Sequence, residues 1–120
     1  MQLLNQISMN WISFTNLSQI SEISEISHSK PVIIFKHSTR CSVSRLALKQ
    51  FEREFDIDAT QIDCYFLDLL NYREISNQIG EHFAVQHQSP QLILVQNGQV
   101  TYHFSHSDID ASDLKKFLKM

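Results

Sequence analysis

Hydrophobic residues follow two different spacings along this chain, and each spacing is typical of one kind of element. The apolar run 32–35 and the mainly apolar segment 62–68 predict strands that are buried on both faces of a sheet. Beyond residue 42 the period lengthens, and Val43, Ala47 and Phe51 recur every four residues, as on one face of an α-helix. The change of period places a junction between a buried strand and a helix just before residue 42.

Two further helices are predicted from similar patterns. A short strand-like segment, 11–14, precedes an amphipathic helix over 17–28, for which Thr15 and Asn16 are candidate caps. Asn71 and Glu74 have the spacing of a capping box, which predicts that a helix begins after Asn71. The predicted strands and helices alternate along the chain, which is typical of parallel strands that are joined by crossover helices.

The C-terminal part of the chain is predicted to form a hairpin and a last helix. The apolar run 91–95 is followed by Asn97–Gly98, the strongest hairpin signal in the chain. Apolar and polar residues alternate between positions 100 and 104, which predicts that the apolar ones share one face and leave the other face solvated. Asp110 is the predicted cap of the final helix.

The complete order is strand, helix, strand, helix, strand, helix, hairpin and helix, which is a thioredoxin-like order. We therefore predict an α/β protein with a thioredoxin-like fold, in which a central mixed sheet of about five strands is flanked by helices on both faces. A chain of 120 residues has the size of one domain, so residues 1–120 are predicted to form a single thioredoxin-like domain.

Composition and charge argue against several classes of function. The net charge is −3 and the basic residues are scattered, so neither nucleic acid nor a membrane surface is an expected partner. No apolar run approaches the roughly 20 residues of a membrane span, and the first seven residues lack a signal-peptide pattern, which predicts a cytoplasmic protein. The six histidines lack zinc-motif spacing and no Cys-x-x-Cys occurs, so no metal site is expected.

The strand-to-helix junction contains the residue with the most distinctive chemistry, Cys41. The first turn of a helix has unpaired N–H groups and a positive dipole, and both favour the thiolate, the nucleophilic form of cysteine. Lys36, His37 and Arg40 are near in sequence and are expected to add to that effect. The alternative is that Cys41 is a small buried apolar residue, as free cysteine often is.

Two other residues decide how such a thiolate would work. Ser44 stands three residues after Cys41, where a dithiol motif has its resolving cysteine. A serine there can hydrogen-bond a thiolate or cap the helix, but it cannot close a disulfide, so a mixed disulfide on Cys41 needs an external thiol. Cys64 lies in an apolar run and is interpreted as structural, unless its strand brings it close to Cys41.

The segment 35–44, with the sequence FKHSTRCSVS, resembles the active-site motif of the monothiol bacilliredoxins, the YtxJ-like family of thioredoxin-like proteins in the bacillithiol system. The similarity continues through 76–77, 87–91, 97–98, 105–106 and 108–109. It therefore covers residues 30–118, nearly the whole chain, with several separate matches in the same order.

The resemblance implies a catalytic site and a substrate. It implies that Cys41 is the nucleophile and that Pro90 is a cis-proline that forms, with Ser89, a platform for the substrate. The implied motif residues that support the thiolate are His37, Thr39, Arg40, Ser42 and Ser44. The implied substrates are mixed disulfides between client proteins and bacillithiol, a low-molecular-weight thiol that acts as co-substrate, with no tightly bound cofactor. Cys41 would attack the bacillithiol sulfur, release the client thiol, and carry bacillithiol until a second thiol removes it.

Two other functions stay open at this stage. One is an iron–sulfur carrier that resembles the monothiol glutaredoxins, and the other is a redox-inactive thioredoxin-like adaptor whose cysteine has ordinary reactivity. Ser42 departs from both motifs, because bacilliredoxins usually have proline directly after the cysteine and monothiol glutaredoxins have glycine there. Serine keeps a backbone N–H that proline lacks, so it provides one more donor near the thiolate.

Overall fold

The computed structural model describes residues 9–118 and has a regular alternation of strands and helices. Its elements are β1 (Trp11–Ser13), α1 (Ser18–Ile26), β2 (Val32–His37), α2 (Ser42–Glu54), β3 (Asp63–Asp68), α3 (Arg73–His82), β4 (Gln91–Gln96), β5 (Gln99–Ser105), a 3-10 turn (His106–Asp108) and α4 (Ala111–Leu118). The predicted domain limits at 1 and 120 and the start of the chain lie outside the described residues. Between residues 9 and 118, no helix has the length and apolar character that crossing a membrane requires.

A five-stranded mixed sheet runs through this part of the chain in the order β1-β3-β2-β4-β5. The strands β1, β3 and β2 are parallel, whereas β4 is antiparallel to β2 and β5 is antiparallel to β4. All six residues of β2, the central strand, are buried. The predicted α/β class, with a mixed sheet closed by a hairpin, is therefore confirmed.

Helices cover both faces of the sheet because the side chains of its central strands alternate. Ile34 and Ile93 pack with residues of α1 and α3 on one face, whereas Ile33 and Phe35 pack with residues of α2 and α4 on the other. Burying a side chain of this size contributes about 1.5–3 kcal/mol. The ring of Phe51 lies 5.6 Å from that of Phe35, so α2 is fixed directly against the central strand.

The last strand, β5, differs from its predicted pattern. Its pairing with β4 skips Thr101, so the register shifts between Val100 and Tyr102. One additional residue in a strand reverses the faces of everything beyond it. Val100 therefore packs in the α1/α3 core, whereas Phe104 packs in the α2/α4 core and Tyr102 stacks on Phe117 at 3.8 Å. The prediction that the apolar residues of this strand share one face is wrong.

The side chains predicted to cap the first and the last helix both accept N–H groups at the start of their helices, although the N-cap residue of α1 is Leu17, one position after Asn16. The side chain of Asn16 accepts the N–H of Ser18 at 2.9 Å, and the helix then runs over Ser18–Ile26, within the predicted range. The carboxylate of Asp110 accepts the N–H of Ser112 at 2.8 Å at the start of α4. These bonds satisfy donors that the first helical turn leaves unpaired.

The capping box predicted at the start of α3 is absent. The helix begins at Arg73, and its N-cap residue is Tyr72, which makes no side-chain capping bond. The Asn71 amide instead donates to the carboxylate of Asp68 at 2.9 Å, and the same carboxylate accepts the N–H of Leu70 at 3.1 Å. Asp68, the last residue of β3, therefore holds the turn that Asn71 was expected to end.

Candidate active site

Cys41 lies directly between the central strand and the helix packed on it. It is the N-cap residue of α2, with extended backbone angles (φ −103°, ψ 120°), and its side chain is partly exposed. Its N–H donates to the carbonyl of Ser38 at 3.2 Å, and its carbonyl accepts the N–H of Arg45 at 3.0 Å. The thiol is free and stands where the first-turn N–H groups and the helix dipole favour negative charge.

Ser44 is buried beneath the turn that carries Cys41. Its hydroxyl accepts the N–H of Ser38 at 3.1 Å and lies 2.7 Å from Nδ1 of His37. In either tautomer of the imidazole, this contact ties the first turn of α2 to the last residue of β2. The structure thus gives Ser44 a bracing role in the turn, and its predicted support of the thiolate stays a prediction.

His37 ends β2 on the same face of the sheet as α2. It is 4% exposed, pairs in register with Asp68, and its ring lies 5.4 Å from that of Phe66. Burial lowers the pKa of His37, and the negative charge of Asp68 offsets only part of that effect. The imidazole is therefore neutral at physiological pH and links the sheet to Ser44 without adding charge.

The other motif residues surround Cys41 at the surface. Thr39, Arg40 and Ser42 are all exposed. Arg45, which the sequence interpretation did not single out, donates from its guanidinium to the carbonyl of Thr39 at 3.0 Å. Its position four residues after Cys41 on a predicted helix was the available signal, because such residues neighbour each other on one helix face.

The Ser89–Pro90 peptide bond is cis, as the resemblance implies. Gln91 pairs with Lys36 across β4 and β2, so Pro90 lies level with the end of β2 from which the Cys41 turn departs. The carbonyl of Pro90 accepts the N–H of His106 at 3.0 Å, and His106 itself has a positive φ of 55°. The cis-proline is thus held at the same end of the sheet as Cys41.

Lys36 does not contribute to this group of residues, contrary to expectation. It follows Ile34 on the α1/α3 face of β2, whereas His37 and α2 lie on the opposite face. Its Nζ donates to the carbonyl of Ser76 in α3 at 3.3 Å. Because its side chain extends to the other side of the sheet, the expectation that it stabilises the Cys41 thiolate is wrong.

Cys64 is far from Cys41. It is 4% exposed and pairs with Ile33, four residues before the end of β2, which places it about 13 Å along the strand from the level of His37. Burial raises the pKa of the Cys64 thiol to about 12, so this cysteine stays protonated. A disulfide needs Cα atoms about 4.4–6.8 Å apart, so the structure supports the structural interpretation of Cys64.

Comparisons with known proteins agree with the fold and with a site that has a single cysteine. The family model described as monothiol bacilliredoxin BrxC matches residues 12–114. The chain belongs to the monothiol bacilliredoxin family. A solved structure described as an oxidoreductase with a thioredoxin fold is 29% identical, with a TM-score of 0.75 over 88% of this chain and 91% of that one.

Two thioredoxins extend the comparison of the fold. Thioredoxin Mala s 13 of Malassezia sympodialis is 18% identical, with a TM-score of 0.70 over 98% of this chain and 95% of its own. Thioredoxin NaTrxh of Nicotiana alata is 16% identical, with a TM-score of 0.66 over 96% of each chain. The fold is thus thioredoxin-like, and family and fold together make this bacilliredoxin a thiol oxidoreductase.

Proposed function

We propose that this member of the bacilliredoxin family removes bacillithiol from mixed disulfides with protein cysteines, using Cys41 as the nucleophile. The observation that carries the proposal is the pairing of a partly exposed free thiol at a helix start with a serine, Ser44, at the resolving position. Such a site can accept a thiol but cannot release it internally. The family assignment supports bacillithiol as that thiol.

The exchange proceeds in two balanced steps. The Cys41 thiolate attacks the bacillithiol sulfur, the client–bacillithiol S–S bond breaks, and the client leaves as a thiolate that takes a proton from water. Cys41 now carries bacillithiol in a new disulfide. A second low-molecular-weight thiol attacks the bacillithiol sulfur, so it leaves as a small-molecule disulfide and Cys41 returns as a thiolate. Cys64 is too remote and too buried to replace that second thiol.

The surroundings of Cys41 support the same function. The cis Ser89–Pro90 segment lies at its end of the sheet and suits a platform for the client chain beside the scissile disulfide. Exposed Arg40 and Ser42 flank the thiol, where they would contact bacillithiol. We also propose a cytoplasmic location, because both cysteines are free and a reducing compartment keeps them so.

The test uses a client protein that carries one bacillithiol mixed disulfide. Incubation with the wild-type chain should shift the mass of one bacillithiol from the client to Cys41, as seen by intact mass spectrometry. The Cys41→Ala variant should leave the client modified, whereas the matched Cys64→Ala variant should act like wild type. A folded wild-type protein whose Cys41 is alkylated by a small reagent but never accepts bacillithiol would overturn the proposal and favour an adaptor.

A further inference from the structure

Lys36 is a fully buried lysine near the end of the central strand, β2. Its side chain is 0% exposed, and none of the ion pairs among residues 9–118 includes it. Its Nζ contacts two groups, the carbonyl of Ser76 in α3 and Nδ1 of His87, each at 3.3 Å. A buried ammonium without a carboxylate is an expensive group to fold around, because burial removes its hydration.

The charge state of this pair agrees with its geometry. Burial lowers the pKa of Lys36 from 10.5 to about 8, so the amine is still mostly protonated at neutral pH and acts as a donor. Burial, then the positive charges of Lys36 and Arg73, lower the pKa of His87, which keeps its imidazole neutral. Because an ammonium can only donate, the 3.3 Å contact assigns the acceptor role to Nδ1 of His87. The contact is therefore a directed hydrogen bond from the sheet to the loop that follows α3.

A second buried polar residue holds the same loop. Gln91 is 0% exposed and is the cross-strand partner of Lys36. Its amide donates to the carbonyl of Gln86 at 3.0 Å and accepts the N–H of Gln88 at 3.3 Å. Lys36 and Gln91, which we call the loop clamp, thus fix three consecutive residues from the sheet.

We propose that the loop clamp positions the segment 86–90, and with it the cis Ser89–Pro90 platform, for disulfide exchange at Cys41. This inference rests on the proposed function. Lys36 and Gln91 are positioning residues, since they lie on the sheet beneath the loop and act through it. An apolar side chain at position 36 could not donate a hydrogen bond to His87, which accounts for a costly buried ammonium at this position.

The experiment compares exchange with the client, which needs the platform, with alkylation of Cys41 by iodoacetamide, which does not. Lys36→Met should lower kcat/KM for a bacillithiol-modified client about tenfold, mainly through KM, and leave the alkylation rate within about twofold. Hydrogen exchange of the Gln88 amide should accelerate in parallel. Lys30→Met, which removes a lysine paired with Asp63 at the other end of β2, is the matched control and should change none of the three.

A second variant tests the same contact in case Lys36→Met fails to fold. His87 is exposed, so His87→Ala removes the group that Lys36 holds without opening the core, and about a threefold loss of kcat/KM is expected. Full exchange activity in folded Lys36→Met and His87→Ala would overturn the inference, as would an equal fall in alkylation, which indicates general damage. If the wild-type protein never accepts bacillithiol, the proposed function is refuted instead. In that case the hydrogen-exchange rate of the Gln88 amide still tests the loop clamp, and an unchanged rate in Lys36→Met would refute it.

Discussion

Replacing Lys36 by methionine should make the protein more stable at neutral pH and abolish one part of its pH dependence. In the unfolded chain this amine has its ordinary pKa of 10.5, whereas in the folded protein burial lowers the pKa to about 8. Between these values the unfolded chain binds more protons than the folded one, so stability rises with pH. Below about pH 8 the folded protein bears the full cost of the buried charge.

The size of this cost follows from the shift of the pKa. The change from 10.5 to about 8 corresponds to roughly 3 kcal/mol. The amine reaches the exposed imidazole of His87, so solvent screening reduces that figure to about 2 kcal/mol. Methionine has a similar shape and no charge. The two groups that lose their bond to Lys36 are the carbonyl of Ser76, which α3 can satisfy, and the exposed ring of His87, which water can satisfy. Lys36→Met should therefore gain about 2 kcal/mol at about pH 7.

Urea denaturation of both proteins at several pH values measures this difference. The advantage of Lys36→Met should shrink to about 0.5 kcal/mol near pH 10, because the folded wild type has then lost the proton of Lys36 while the unfolded chain still mostly keeps it. Groups such as Cys64 and Tyr65, whose pKa values burial raises, titrate alike in both proteins and cancel in the comparison. An advantage that stays constant between about pH 7 and pH 10 would refute the reasoning, because the amine would then not titrate there.

Three further predictions concern other parts of the molecule. A thiol reagent should modify Cys41 of the native protein at least about a hundredfold faster than Cys64, and equal rates would contradict the burial of Cys64. Ser44→Ala should destabilise by about 2 kcal/mol in urea, because buried His37 and the turn lose their hydroxyl partner; a loss no larger than that of a surface serine would contradict this role. Asp110→Ala should cost about 1 kcal/mol and Asp110→Asn much less, and the cost of Asp110→Ala relative to the wild type should fall as acid protonates Asp110, since capping bonds lower the pKa of this carboxylate.

The central strands and the position of Cys41 could be predicted because they depend on local pattern. The run 32–35 is apolar without a break and rich in β-branched residues, which suits a strand buried on both faces. The change of period after it placed Cys41 at a helix start, which is where it lies. The cis bond at Pro90 came from family resemblance alone, since periodicity does not distinguish the two isomers.

The shift in β5 and the turn before α3 were not predicted, for two different reasons. Thr101 is skipped by the pairing with β4, and no turn or glycine signal marks it in the sequence. Asn71 and Glu74 have the pattern of a capping box, but Asp68 holds the turn from the end of β3. Tertiary pairing outweighed the local preference in β5, whereas before α3 one local side-chain interaction outweighed another.

The buried polar side chains mark positions where folding carries a free-energy cost of burial. Those of the described chain are Ser27, Lys36, His37, Ser44, Ser76 and Gln91. All except Ser27 belong to the two networks that brace the Cys41 turn on one face of the sheet and the Pro90 loop on the other. The opposite end of β3 instead buries a protonated cysteine among apolar side chains. Ser27, at the other end of the sheet, bonds the turn between β4 and β5. On the proposed function, the buried polar residues that gather at the Cys41 end serve to hold two loops at a fixed spacing across the reacting disulfide.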